Sequence, residues 1–256
     1  MIMRPGSRLR RVYMILLFLF GTPIEALIPI GAAIVVFAEL IILWSYGTLK
    51  RTRELQTTGP YGLARNPVYA GAILASIGFF ILAGAGLASP KAALIPFVFR
   101  IGNLHLNAIV LPMSILFFSF FIPHYLRRIK NEEKKLAGIF GESYMNYLKR
   151  IPTRLLPFPS AFFRMDWLLF TFSMEDAFKN RVFSRIFKYG IWLVLFLGKE
   201  AFMTDINNLI GSKKWGCLQV WEHRHFPFFV AFLLGFILLH TVFSKLQNRF
   251  EPYRNR

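Results

Sequence analysis

The sequence predicts an all-α integral membrane protein, built as a bundle of about six transmembrane helices. Two observations support this prediction. Hydrophobic residues make up 55% of the 256-residue chain and charged residues only 17%, whereas soluble domains contain about 25% charged residues. The apolar residues are also concentrated in long blocks separated by basic clusters, a pattern typical of membrane spans and their connecting loops.

Six apolar blocks account for the predicted spans, since a spanning helix needs about 20 mostly apolar residues. In chain order the blocks are 12–20, 27–44, 68–88, 104–122, 186–202 and 226–243. Because the first block is short, we expect the first two to form a helical hairpin whose first arm is short or tilted. We expect Pro112 to kink the fourth span, and we expect a further helix over residues 125–139 in the polar region that follows it.

Lysine and arginine predict the orientation of this bundle. With the N-terminus inside, about 25 of the 31 basic residues fall in segments that face the cytoplasm. Because basic loops are retained on the cytoplasmic side, we expect both termini there, in the inner or plasma membrane of a prokaryote or the endoplasmic reticulum of a eukaryote. The loop 47–67 and the region after residue 122 then lie on the same side of the membrane.

The loop before the third span carries the first candidate motif. Gly59 and Pro60 are typical of a turn, while Pro67 suits the first turn of a helix and makes Asn66 a candidate N-cap. A capped loop that enters a membrane helix explains these residues fully. It does not explain why Tyr61, Arg65 and Tyr69 cluster there, although tyrosines are also common as interfacial anchors. The cluster of Tyr61, Arg65 and Tyr69 is therefore a candidate site.

The second candidate motif lies in the polar region, at residues 127–147. On a helix, Arg128 and Glu132 are i,i+4 neighbours on one face. The simpler interpretation is an amphipathic helix on the membrane surface that carries ordinary ion pairs. A functional interpretation needs a reason to connect this stretch with the loop before the third span.

Together the two stretches resemble the isoprenylcysteine carboxyl methyltransferases and their phospholipid methyltransferase relatives. The residues that match the first family motif are Gly59, Tyr61, Arg65, Pro67, Tyr69 and Gly71. Those that match the second are Glu132, Glu133, Leu136, Phe140, Gly141, Tyr144, Tyr147, Pro152 and Pro157. The resemblance covers roughly residues 28–157. It divides the chain into an N-terminal membrane segment (1–27), this core, and a C-terminal extension (158–256) with two predicted spans.

The resemblance implies a cytoplasmic site for S-adenosylmethionine and methyl transfer to a lipophilic acceptor within the bilayer. The positions that match the family's cofactor-binding residues are about 53–56, Tyr61, Asn66, Pro67, Val68, Tyr69 and Glu132, with Arg65 inside the same motif. The family's substrate-directed arginine falls on Arg128, which is therefore the candidate catalytic residue. Asn66 stands where the family most often has histidine, and asparagine cannot titrate near neutral pH.

Two further functions stay open beside this one. Within methyl transfer, Arg128 favours a carboxylate acceptor on a lipidated or hydrophobic molecule, and a phospholipid amine is the alternative. A non-catalytic membrane protein that retains the fold is the second hypothesis, because Asn66 departs from the motif and the extension has no assigned role. A transporter is disfavoured, since we find no pair of broken helices in two halves.

Other residues exclude several kinds of site. The single cysteine, Cys217, excludes an intramolecular disulfide. His223 and His225 lie two apart, so on a helix they point to different faces, and we expect a polar loop and no metal site there. The net charge of +18 indicates contact with anionic lipid headgroups and not with nucleic acid, since no nucleic-acid motif accompanies it.

Ionisable residues within or beside the apolar blocks receive separate expectations. His105, His124 and His240 lie near span ends, where a satisfied or interfacial imidazole is expected. Glu25 and Glu39 lie within apolar stretches, where charge is costly and often functional. We expect Glu39 either to face the bundle interior near the cofactor site or to pair with an arginine.

Overall fold

A computed structural model describes residues 5–50, 54–92, 97–157, 159–163, 166–168, 172–201 and 226–249. The helices are α1 (Pro5–Phe20), α2 (Ile28–Thr48), α3 (Pro60–Leu63), α4 (Pro67–Leu82), α5 (Val110–Phe140), α6 (Glu142–Arg150), α7 (Pro159–Phe163), α8 (Met174–Lys179), α9 (Val182–Ala201) and α10 (Phe226–Arg249). Short 3-10 turns occur at Glu25–Leu27, Pro90–Ala92 and Asp166–Leu168. Arg53, Cys217 and the residues from Glu222 to His225 lie outside the described residues.

Three stretches of the described chain are helical, long and apolar enough to cross a membrane. They are Glu25–Thr48, Val110–Arg150 and Phe229–Gln247. This supports the membrane-protein class predicted from composition. Fewer than the six predicted spans meet these criteria of length and composition among the described helices. Helices α1 and α4 are short, with 16 residues each, and α9 contains several charged residues.

A two-stranded antiparallel hairpin corrects the all-α prediction. Strand β1 (Val98–Ile101) pairs with β2 (Leu104–Asn107), so that Arg100 lies opposite His105. The turn between them contains Gly102 at φ 59°, a left-handed conformation that glycine adopts without strain. The helix predicted to start at residue 104 therefore starts only at Val110.

Asn107 explains why α5 begins where it does. Its side-chain oxygen accepts hydrogen bonds from the backbone N–H groups of Ile109 and Val110, both at 3.1 Å. This satisfies two of the four N–H groups that a helix start leaves without partners. Pro112 consequently lies in the first turn of α5, where proline is tolerated, and the proline inside the helix is Pro123. The predicted kink at Pro112 was therefore wrong.

Helix α5 continues without interruption from the apolar block into the polar region. Its 31 residues include the predicted helix over 125–139, which is confirmed as helical. One helix thus joins a candidate membrane span to the residues of the second motif. Arg128 and Glu132 lie on it one turn apart.

Small residues on α4 allow α2 to approach closely. Ala72 and Ser76 are buried on α4, and two glycines of α4 lie directly against α2. A Cβ atom added to Gly71 would lie 2.6 Å from Ile42 Cγ1. A Cβ atom on Gly78 would lie 2.7 Å from Val35 Cγ2 and 3.0 Å from the Gly31 carbonyl oxygen. Such close backbone approach is typical of helix packing in membranes.

We expect Gly78→Ala to lower the free energy of unfolding by about 2 kcal/mol, a typical cost of overpacking. The reason is that the Gly31 carbonyl belongs to the backbone and cannot rotate away. SDS titration of the unfolding equilibrium measures the effect. Gly138→Ala is the matched control, because no atom lies within 4 Å of its added Cβ and alanine favours the helix. Equal stability of the two variants would contradict this packing.

The chain divides into two compact units, each built from three stretches of sequence. The first contains Met1–Val35, Ser76–Phe121 and Phe187–Leu239. The second contains Val36–Ala75, Ile122–Ile186 and His240–Arg256. Both candidate motifs belong to the second unit.

Candidate functional site

Tyr61 lies on the short helix α3 and is buried. Gly59 at φ 59° precedes Pro60, which begins the helix. The Tyr61 hydroxyl donates to the Ser45 carbonyl at 3.4 Å, and its own carbonyl accepts from the Tyr147 hydroxyl at 2.8 Å. Burial raises the pKa of the Tyr61 phenol well above its usual value, so the hydroxyl stays protonated and acts as a donor. These bonds fix the ring between the end of α2 and α6.

Asn66 stands at the start of α4, as its sequence position predicted. Its carbonyl accepts from the N–H groups of Tyr69 and Ala70, at 3.1 and 3.2 Å, and Pro67 is the first helical residue. The side-chain nitrogen Nδ2 is buried and has no hydrogen-bond partner among the described residues. A buried donor without a partner costs about 1–3 kcal/mol. Asn66 Nδ2, at the start of α4, is therefore a hydrogen-bond donor that a ligand could satisfy.

Tyr69 joins the first motif to the second. Its hydroxyl donates to Glu132 Oε1 at 2.7 Å, across 63 positions of sequence. Arg128 lies beside the pair, with Nη2 3.8 Å from Glu132 Oε1 and its guanidinium carbon 5.8 Å from the centre of the Tyr69 ring. The edge of Tyr125 packs against Tyr69 with ring centres 5.1 Å apart. Three of the residues that the sequence singled out on two distant stretches, Tyr69, Arg128 and Glu132, therefore lie together.

Glu132 and its neighbour Glu133 have different surroundings. The Glu132 side chain is 45% exposed, whereas that of Glu133 is 11% exposed and pairs with two arginines. Glu133 lies 3.4 Å from Arg65 Nη1 and 3.1 Å from Arg154 Nη2. The Glu132 carboxylate thus remains accessible, whereas the Glu133 carboxylate is engaged in internal ion pairs.

Arg65 takes part in a structural junction. Its Nη2 donates to the Pro152 carbonyl at 3.1 Å, and its backbone N–H donates to the Thr153 carbonyl at 3.2 Å. The next N–H, of Asn66, donates to the Arg154 carbonyl at 2.9 Å. The segment after α6 therefore runs along the loop before α4 and holds it in place. Cofactor contact by Arg65 stays a prediction.

Sequence reasoning missed the roles of Glu133 and Arg154. The sequence did show two adjacent glutamates followed by basic residues and a proline. That pattern indicated a motif, but it did not indicate which glutamate pairs with which arginine. The aromatic residues of the same motif have a packing role. Tyr144 and Tyr147 are buried with Ile151 in a cluster that also contains Leu55 and Phe140.

Two other ionisable residues can now be located. Glu39 lies 3.5 Å from Arg185 Nη2, which agrees with the expected pairing to an arginine. His124 lies one helical turn before Arg128 on α5, and its Nε2 is buried with no hydrogen-bond partner in the described part of the chain. No group of three metal-binding side chains occurs within the part of the chain that the structure describes.

Comparisons of the chain with protein-family models, with curated proteins and with solved structures each found no match. The resemblance to membrane methyltransferases therefore depends on the motif residues alone. The contacts of those residues are the independent observation on which a functional proposal can be built.

Proposed function

We propose that this chain is an integral membrane methyltransferase that transfers a methyl group from S-adenosylmethionine to a membrane-resident acceptor. The observation that carries the proposal is the hydrogen bond from Tyr69 to Glu132. It unites the two stretches that resemble the family's cofactor motifs, and it leaves Glu132 half-exposed. A bundle of six spans with the site at the cytoplasmic face is part of the proposal.

The side chains present fit the polar groups of this cofactor. The accessible Glu132 carboxylate suits the α-amino group, which is cationic. The partnerless Asn66 Nδ2 suits an acceptor atom, such as a carboxylate or ribose oxygen. The exposed part of the Tyr69 ring suits a cation or an aromatic plane. When bound, the cofactor supplies an electrophilic methyl group carried on a sulfonium.

Arg128 is proposed to orient the acceptor. A guanidinium can hold a carboxylate through two parallel hydrogen bonds, and a carboxylate can attack without losing a proton. The residues beside Arg128 have no need to act as a base in that case. Asn66 cannot take a proton at neutral pH, and Tyr61 stays protonated because it is buried. The acceptor that requires no catalytic base is a carboxylate, which we propose lies on a lipidated or hydrophobic molecule.

His124 favours a second candidate, a phospholipid amine. An amine acceptor must lose a proton, and imidazole is the side chain best suited to take one near neutral pH. His124 lies one turn from Arg128, and no described residue forms a hydrogen bond with its Nε2. In this variant Arg128 holds the lipid phosphate and His124 accepts the proton.

The test is transfer of a labelled methyl group from S-adenosylmethionine, using protein in nanodiscs with native lipid extract and lipidated peptides. Label that alkali releases indicates a methyl ester and thus a carboxylate acceptor. Label that resists alkali and is lost with His124→Asn indicates an amine. If well-folded protein transfers label to neither kind of acceptor, the proposed function fails.

A further inference from the structure

Large apolar side chains are exposed in the described parts of residues 156–174, outside the candidate spans. Phe163 is 86% exposed and Leu156 is 75% exposed. Three others are about half-exposed: Phe162, Leu168 and Met174. The described elements here are α7, with five residues, and the turn Asp166–Leu168. Because neither is long enough to cross a bilayer, membrane spanning does not explain the exposure.

One end of this segment is fixed to the end of α2. The Ser173 N–H donates to the Gly47 carbonyl at 2.8 Å, and the Phe172 ring packs directly on Gly47, where glycine leaves room for it. Beyond α8, Asn180 Nδ2 donates to the carbonyls of Tyr46 and Leu49, at 2.8 and 3.1 Å. The segment therefore lies at the level where a helix long enough to span the membrane comes to its end.

The other part of the segment packs on α3 and contains one internal side-chain hydrogen bond. Both α7 and the turn Asp166–Leu168 contact α3. Trp167 Nε1 donates to the Phe162 carbonyl at 3.1 Å, and the two rings meet edge to face with centres 6.2 Å apart. The phenylalanine side chains of α7 are thus exposed on a segment that packs on α3. Tryptophan and other aromatic residues are enriched at the level of the lipid headgroups.

We infer that the described parts of residues 156–174 lie in the plane of the membrane, at the face where α2 ends, with their exposed apolar side chains immersed in the headgroup region. The partner of this surface is the lipid bilayer. The bond from Ser173 to Gly47 holds the C-terminal end of the segment beside the end of α2, and the bonds of Asn180 hold the chain after it at the same place. Segments of this kind bury their apolar side about 5–10 Å into the boundary between headgroups and acyl chains. The inference does not depend on methyl transfer.

Spin labelling of the full chain in nanodiscs of phosphatidylcholine and phosphatidylglycerol tests this position. In a Cys217→Ser background, single nitroxide labels are attached at Phe163→Cys, Met174→Cys and, as the aqueous control, Glu142→Cys. Phe163 is almost fully exposed, so its replacement removes little internal packing. Met174 provides a second position, beside the bond that fixes the segment to α2.

We expect the relative rates of collision with oxygen and with a nickel complex to be opposite at the segment and at the aqueous control. At positions 163 and 174, apolar oxygen should reach the nitroxide more readily than a water-soluble nickel complex, and at position 142 the order should be opposite. Labels at 163 and 174 that are as open to nickel as the one at 142 would overturn the inference. So would labels that neither reagent reaches, because another protein surface would then cover the segment. Neither result would bear on S-adenosylmethionine binding.

Discussion

Replacement of Glu133 by glutamine is expected to lower the free energy of unfolding by about 3 kcal/mol, as is typical when one partner of a buried ion pair is removed. Glu133 pairs with Arg65 and Arg154. Arg65 is itself only 10% exposed in its side chain, so the substitution leaves a positive charge with little water and no carboxylate. SDS titration of the variant and of the unmodified protein measures the difference.

Glu54→Gln is the matched control for this prediction. Glu54 also pairs with a cation, since Lys50 Nζ lies 2.9 Å from its carboxylate, but both side chains are largely exposed. Exposed pairs contribute about 0–1 kcal/mol, so the control should unfold almost as the unmodified protein does. A loss for Glu133→Gln no larger than that of Glu54→Gln would contradict the role of Glu133 as the centre of the junction.

Arg128→Lys is expected to slow methyl transfer to a carboxylate acceptor by about tenfold to hundredfold, the equivalent of about 1.5–3 kcal/mol for a charged hydrogen bond. Lysine keeps the positive charge but cannot form the paired hydrogen bonds of a guanidinium. The rate is measured with saturating S-adenosylmethionine, and cofactor affinity is measured separately. Affinity should change little, because Arg128 is proposed to contact the acceptor.

The neighbouring Arg127 offers a matched substitution. It lies on the same helix and is exposed, so Arg127→Lys should transfer methyl groups at the unmodified rate. If Arg128→Lys also retains the full rate, Arg128 does not orient the acceptor through paired hydrogen bonds. A loss of cofactor affinity without a loss of rate would instead assign Arg128 to the cofactor.

Much of the site could be anticipated because local sequence governs it. The Pro67 and Asn66 pattern predicted the start of α4, and the spacing of Arg128 and Glu132 predicted their position on one helix. Which of two adjacent glutamates stays accessible could not be predicted, since neighbouring residues of a helix point about 100° apart. That choice depends on where Arg65 and Arg154 lie, and their approach is a tertiary contact.

The misjudged parts of the fold have a similar cause. Residues 98–107 form a moderately apolar stretch, and the periodicity of such short runs does not distinguish a strand from a helix. The hairpin is stabilised by long-range contacts, among them the hydrogen bond from Asn107 Nδ2 to the Phe20 carbonyl at 2.8 Å. The bonds of Ser173 and Asn180 to the end of α2 are likewise invisible in the order of residues. They give the C-terminal extension a structural role that the sequence alone did not indicate.

The most direct test of the proposed function is equilibrium binding of labelled S-adenosylmethionine to the protein in lipid nanodiscs. The unmodified protein and Glu142→Gln, which removes an exposed carboxylate elsewhere on the polar region, should bind saturably. Glu132→Gln should bind about tenfold to hundredfold more weakly, because it loses a charged hydrogen bond to the cofactor's amino group. Absence of binding by well-folded unmodified protein would contradict the proposed methyltransferase function. It would favour the alternative of a non-catalytic membrane protein that retains the fold.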